Sequence, residues 1–236
     1  MRAQTRHQLK QDRFAETTME TVSWAVEHRK TLTLVGGIAA AIALIVIGAW
    51  YYFDQQDQKA SMEMSHALRT YNAQIVPAGT PAQQGVITFT APGDRARAAQ
   101  KEFREIASKY SHTRSGEIAR YFAASTDLEL GNTAAAMKEL KDIAGARNSD
   151  LAALAKLGLA SAYHANGQDS EAIATYKDLI SHPTQSVSKT TAELQLADLY
   201  SAKQPAEARK IYEQIRKDDP AGSAAQVAAN KLQQLK

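Results

Sequence analysis

The sequence predicts an all-α chain, with a single N-terminal transmembrane helix followed by a solenoid of helical hairpins. Residues 31 to 53, "TLTLVGGIAAAIALIVIGAWYYF", contain no charged side chain. In the remainder, a small residue followed four positions later by a large one recurs every 36 or 37 residues. Composition agrees: of 236 residues only 12 are Gly and 6 are Pro, aromatics make up 7%, and Ala is abundant, which favours helix over sheet.

Charge and cysteine usage narrow the function classes. There are 28 basic and 25 acidic residues, a formal net charge of +3. This near balance argues little for a nucleic-acid partner, and no block of like charge occurs. The chain has no Cys. Disulfides, Cys-ligated zinc, iron–sulfur clusters, a Cys nucleophile and a lipid anchor on an N-terminal Cys are therefore excluded.

Residues 1–30 form a basic tail. They carry Arg2, Arg6, Lys10, Arg13, Arg29 and Lys30, whereas the stretch just after Phe53 carries only Lys59 and Arg69. The positive-inside rule puts the tail in the cytoplasm and everything after Asp54 across the membrane. Phe14, Val22, Trp24 and Val26 give the tail some apolar content. Two readings stand, a short interfacial helix or a solvated tail.

Residues 31–53 are long enough to span. A helix of this length measures roughly 34 Å against a hydrocarbon core of about 30 Å. The run ends in Trp50, Tyr51, Tyr52 and Phe53, an interfacial aromatic belt, with no small-residue cleavage site after it. A signal h-region is shorter, about 7 to 15 residues. Gly37, Ala41 and Gly48 fall roughly on one face, with Leu44 between them. They form a packing face for a second helix, or reflect the frequency of small residues in spans.

Residues 54–236 form the repeat domain. Ala99/Phe103, Ala136/Leu140, Ala172/Tyr176 and Ala208/Tyr212 are the recurring small/large pairs. The preceding helices repeat as well: Leu159, Ala160 and Tyr163 correspond to Leu196, Ala197 and Tyr200. Upstream, Ala124 matches the small position and Asp127 replaces the Tyr. Gly131 and Gly167 stand where left-handed C-caps belong, and Pro205 can begin a helix in the last copy. Each hairpin has an apolar face that it cannot cover alone, so stacking buries a continuous core. A helix–turn–helix unit at this period points to tetratricopeptide repeats.

The first hairpin pairs a helix from about Gln55 to Val76 with one from about Asp94 to Tyr110. The upstream helix runs on from the span, since no Pro or Gly interrupts it. Between the two lies the insertion 77–93, "PAGTPAQQGVITFTAPG". Its Pro and Gly residues break helix. It either covers part of the array through Val86, Ile87 and Phe89 or forms a mobile loop, the preferred reading because no second strand is evident. "SAAQVAANKLQQLK" at the end reads as a capping helix.

No catalytic motif is present, and the chain is read as a non-enzyme without cofactor, metal site or small-molecule substrate. There is no phosphate-binding Gly-rich loop, no HExxH and no Gly-x-Ser-x-Gly. The six His residues are scattered, with none expected to pair with a carboxylate or another His at ligand spacing, and each reads as a surface or turn residue. Asp127 and Glu129, two apart on a helix, read as a solvated face.

The hairpins "LGLASAYHANGQDSEAIATYKDLISHP" and "LQLADLYSAKQPAEARKIYEQIRKDDP" look like tetratricopeptide repeats. With the junction "VEHRKTLTLVGGIAAAIALIVIGAWYYFDQQDQKASMEMSHAL", the layout resembles the YfgM-like family, an ancillary subunit of the bacterial SecYEG translocon. The resemblance implies a single-pass protein of the bacterial inner membrane with a periplasmic domain. It implies a scaffold whose protein partners are translocon subunits, periplasmic chaperones or secreted clients. A scaffold for an envelope-assembly or cell-division component is the alternative. In such arrays the first helix of each hairpin lines a groove. Here that face carries Tyr121, Ser125 and Leu128, then Leu157, Ser161 and His164, then Leu194, Asp198 and Ser201.

Overall fold

A computed structural model describes residues 28–81 and 84–235. The tail positions Phe14, Val22, Trp24 and Val26 lie outside the described residues. The chain divides into two compact units, between Gln55 and Gln56.

The first unit contains the start of a long helix, α1 (Arg29–Tyr71). From Arg29 to Asp54 every residue of it is exposed, including Leu44 at 71% and Trp50 at 68%. Apolar side chains left uncovered over this length fit a lipid environment. The helix is long and apolar enough to cross a membrane. A Cβ added at Gly37 or Gly48 would meet nothing within 4 Å beyond its own stretch of helix.

The second unit is the array. Its first hairpin pairs the C-terminal half of α1 with α2 (Pro92–Lys109). The later hairpins are α3 (Arg114–Glu129) with α4 (Thr133–Ile143), α5 (Ser149–Ala165) with α6 (Asp169–Ser181), and α7 (Lys189–Lys203) with α8 (Pro205–Asp218). A last helix, α9 (Ser223–Gln234), packs on α8. Ala225 and Ala228 are its buried residues, and Leu232 packs against the last core cluster.

The repeat positions are the core. Ala99, Ala136, Ala172 and Ala208 are each 0% exposed, and Phe103, Leu140, Tyr176 and Tyr212 do not exceed 3%. Alanine at the crossing lets the helices approach, and the large side chain one turn on fills the space beside it. Burial of each such large residue contributes about 1.5–3 kcal/mol. On the first helices, Ala124, Ala160 and Ala197 are likewise fully buried.

Local chemistry sets the helix ends. Thr113, Asn148 and Ser188 cap α3, α5 and α7 with side-chain oxygens that accept backbone N–H groups. Gly131 and Gly167 take φ of +80° and +76°, the left-handed conformation expected of them. The next N–H closes each turn, Asn132 on the Asp127 carbonyl and Gln168 on the Tyr163 carbonyl, both at 2.8 Å. The last hairpin lacks this glycine, and Pro205 starts α8 directly. Gly116 has a steric reason: a Cβ there would stand 2.0 Å from the Tyr110 carbonyl oxygen.

Two expectations need correction here. α1 ends at Tyr71 rather than near Val76, because Gln74–Ile75 (β1) leaves the helix to pair in parallel with Thr88–Phe89 (β2). The second strand that is not evident in the sequence for the insertion 77–93 is present. Its two residues, Gln74 and Ile75, carry no recognisable alternation. The second correction is Asp127. It is 1% exposed, not part of a solvated face. Its carboxylate accepts from Gln100 Nε2 (2.5 Å), Arg104 Nη2 (2.7 Å) and Asn132 Nδ2 (3.0 Å). Three donors offset the desolvation that burial imposes on a charge. Glu129, its neighbour in the sequence, is exposed and accepts the Tyr71 hydroxyl.

Candidate protein-binding face

The first helices α3, α5 and α7 present the nine residues expected of a groove, and none of the nine is buried. Tyr121 and Leu128 pack against the second-hairpin core, Leu157 against the third and Leu194 against the fourth. Each keeps part of its apolar surface accessible, as half-covered side chains between core and solvent do. The three series positions Ser125, Ser161 and Asp198 differ in what they meet. Ser125 Oγ turns back to its own helix, donating to the Tyr121 carbonyl at 3.0 Å. Ser161 Oγ lies 3.2 Å from the Tyr176 hydroxyl. Asp198 accepts the Tyr212 hydroxyl at 2.5 Å and pairs with Lys231 at 2.8 Å. The cause is the second helix: Leu140, at the position of Tyr176 and Tyr212, has no hydroxyl to offer.

His164 Nδ1 sits 2.7 Å from Asp169, which also receives Lys203 Nζ at 2.6 Å. The Lys203 contact ties the third hairpin to the fourth. Both contacts hold the Asp169 carboxyl below the usual carboxylate range, through Lys203 first and His164 second. Ser201 donates to the Asp198 carbonyl at 2.6 Å. No histidine is expected to pair with a carboxylate at ligand spacing. Among the described residues, His164 meets a carboxylate, as do His66 with Glu102 at 3.0 Å and His182 with Asp178 at 3.1 Å. The first two are joined by the fold, across 5 and 36 residues. The third is a one-turn spacing that the sequence already contained. Among the described residues, no group of three metal-ligating side chains comes together.

The face is not uniform along the array. At its start, Tyr121 stands edge-on to Phe122, with ring centroids 5.5 Å apart. Phe122 stacks on the buried Phe103 at 5.1 Å and meets Tyr71 edge-on at 5.9 Å. Burial, followed by the hydrogen bond to Glu129, pushes the Tyr71 phenol up to about 12. At its other end, Asp198 and Ser201 line a cleft of about 470 Å³ with Tyr212, Lys231, Gln234 and Leu235. Burial and the Asp198 carboxylate push the Tyr212 phenol upward. Tyr212 and Lys231 were missed as lining residues. The Tyr was within reach of the period, since Ser161/Tyr176 and Asp198/Tyr212 are shifted copies. Lys231 was not, because the capping helix repeats nothing.

The half-covered apolar residues, short polar groups and a terminal mixed-charge cleft can hold polypeptide by contact and hydrogen bonding. No curated protein and no solved structure matches the chain. The model of a family described as Tetratricopeptide repeat-like domain matches residues 23–236. Such repeat folds are typically non-catalytic protein-interaction scaffolds. Four stacked hairpins, their buried small/large pairs and this match over most of its length agree: the chain belongs to the Tetratricopeptide repeat-like domain family.

Proposed function

We propose that the chain is a single-pass membrane scaffold of the bacterial inner membrane, with residues 1–30 cytoplasmic, 31–53 spanning and 54–236 periplasmic. Its array would hold periplasmic chaperones or secreted clients beside the Sec translocon, the role of the YfgM-like family it resembles. The observation that carries the reading is the accessible first-helix face. Tyr121, Leu128, Leu157 and Leu194 keep apolar surface outside a core that the Ala/large pairs already fill. The Lys/Arg asymmetry around the span supports the orientation. Tethering such a face by one span raises its effective concentration at a membrane machine.

Photo-crosslinking in native membranes tests this. A photoreactive residue at Ser161, exposed on that face, should capture translocon subunits together with chaperones or clients. Tyr121→Ala with Leu157→Ala should lower the yield several-fold while leaving helix content unchanged. If translocon subunits never appear above background, the translocon assignment fails. Capture of cell-division or outer-membrane assembly components instead would move the scaffold to that machinery.

A further inference from the structure

Position 101 and its repeat counterparts lie two residues beyond the buried alanines of the second helices, and position 104 and its counterparts lie five beyond. At 100° per residue these rows point roughly 200° and 140° away from the buried stripe. The first row reads Lys101, Lys138, Ala174, Lys210, and the second Arg104, Lys141, Lys177, Glu213. All eight are exposed. Six cations therefore share one face of a domain whose 22 basic and 21 acidic residues nearly cancel.

Several acids on these helices pair with first-helix cations, while Glu105 lies 4.0 Å from Lys101 and Glu213 stands in the second row itself. Arg120 of α3 draws in Glu139 (2.8 Å) and Asp142 (3.3 Å). Lys156 of α5 takes Asp178 at 2.6 Å. Toward the ends, Arg104 reaches Asp127 at 2.7 Å and Lys210 pairs with Glu207 at 2.7 Å. In the middle, Lys138, Lys141 and Lys177 have no carboxylate partner among the described residues. In hairpins two and three, Glu139, Asp142 and Asp178 thus pair with first-helix cations, and these three lysines are left without a carboxylate.

The chemistry of the face narrows its partner. Five of the six cations are Lys, a hydrated point charge without the fork that docks a carboxylate in one geometry. No aromatic or large aliphatic residue stands in either row, so nucleobase stacking and a hydrophobic anchor are both missing. What remains is attraction to a dense, mobile array of phosphates, as in a polybasic segment at anionic lipid. We propose that this lysine face of the second helices is a contact site for anionic, phosphate-bearing lipid surfaces. It is independent of the first-helix face and of the partners proposed for that face.

The test places the full chain in phosphatidylcholine nanodiscs and measures binding to separate vesicles, of phosphatidylcholine with or without phosphatidylglycerol. Binding is expected only with phosphatidylglycerol, and should vanish near 1 M salt, where the screening length is about 3 Å. Lys138→Gln, Lys141→Gln and Lys177→Gln should each weaken it about fivefold, and together roughly 100-fold. The control neutralises the exposed Lys59, Arg69 and Arg114, off the two rows, for the same net charge. It should retain most of the binding. Equal loss in the control, equal binding to both vesicle types, or no binding at all would overturn the proposal. So would lysine-dependent binding of soluble polyglutamate in place of vesicles, which would mark an acidic-polypeptide site.

Discussion

The first two hairpins and the last two share one core rule and differ in how they are joined. Between hairpins one and two, Phe103 and Phe122 stack beside Tyr71, and buried Asp127 gathers donors from α2 and from the turn after α3. Asp57 accepts the Ser115 N–H and Glu129 accepts the Tyr71 hydroxyl, both 58 residues apart, so residues 57–71 of α1 run parallel to α3 and in register. Between hairpins three and four, aliphatic residues and tyrosines fill the junction around Val187, and the Lys203–Asp169 ion pair clips the edge. The comparison teaches that the Ala/large pair sets the stacking, while the junction chemistry is free to vary.

The shared rule should break hardest. Ala172→Glu forces a carboxylate into a fully buried crossing, at a cost of several kcal/mol. Circular dichroism of the chain in detergent micelles should show lost helix or a strongly lowered melting midpoint. Ala99→Glu should do the same in the first half, if the rule is common to both.

A smaller effect separates the halves. Asp127→Leu strands Gln100, Asn132 and part of Arg104 beside an apolar group and should cost about 1–3 kcal/mol. Because the Arg104 side chain is 54% exposed, part of its loss is recovered by water. Asp127→Asn keeps a carbonyl acceptor and should cost less. Equal melting midpoints for wild type and Asp127→Leu would show that the buried network adds nothing to the junction.

The smallest effect is acid sensitivity. Asp150 is held below the usual carboxylate range chiefly by the Ser186 N–H, Asp169 by Lys203 and Asp178 by Lys156. Glu63, held by Lys109, plays this part in the first hairpin. Because the folded carboxyls protonate at lower pH than the unfolded ones, their contribution is full above about pH 4. It fades as pH falls through the folded values below that. Hydrogen exchange under acid should loosen α5 to α7 before α1 and α2. The reverse order would contradict this difference between the halves.

How much was legible in the sequence follows the range of the interaction. The uncharged run of residues 31–53, the Ala/large pairs, the glycine C-caps and Pro205 depend on helical phase or on neighbours within a turn. Their meaning is therefore written locally, and the repeat copies it until it stands out. On the candidate face, the partial exposure of Tyr121, Leu157 and Leu194 follows from the same phase, and the pairing of Asp198 with Tyr212 from the shift of Ser161 with Tyr176. The burial of Asp127, the pairing of Gln74–Ile75 with Thr88–Phe89 and the Lys231 contact to Asp198 were decided only by tertiary structure. So was the pairing of Glu139, Asp142 and Asp178 with Arg120 and Lys156, which leaves Lys138, Lys141 and Lys177 without a carboxylate. Each joins side chains on different elements, and a carboxylate's spacing along the chain does not say which donor the packing will bring to it. The period alone determined that hairpins stack. Which charges face each other once they do was settled by close packing and by the cost of leaving a buried polar group without a partner.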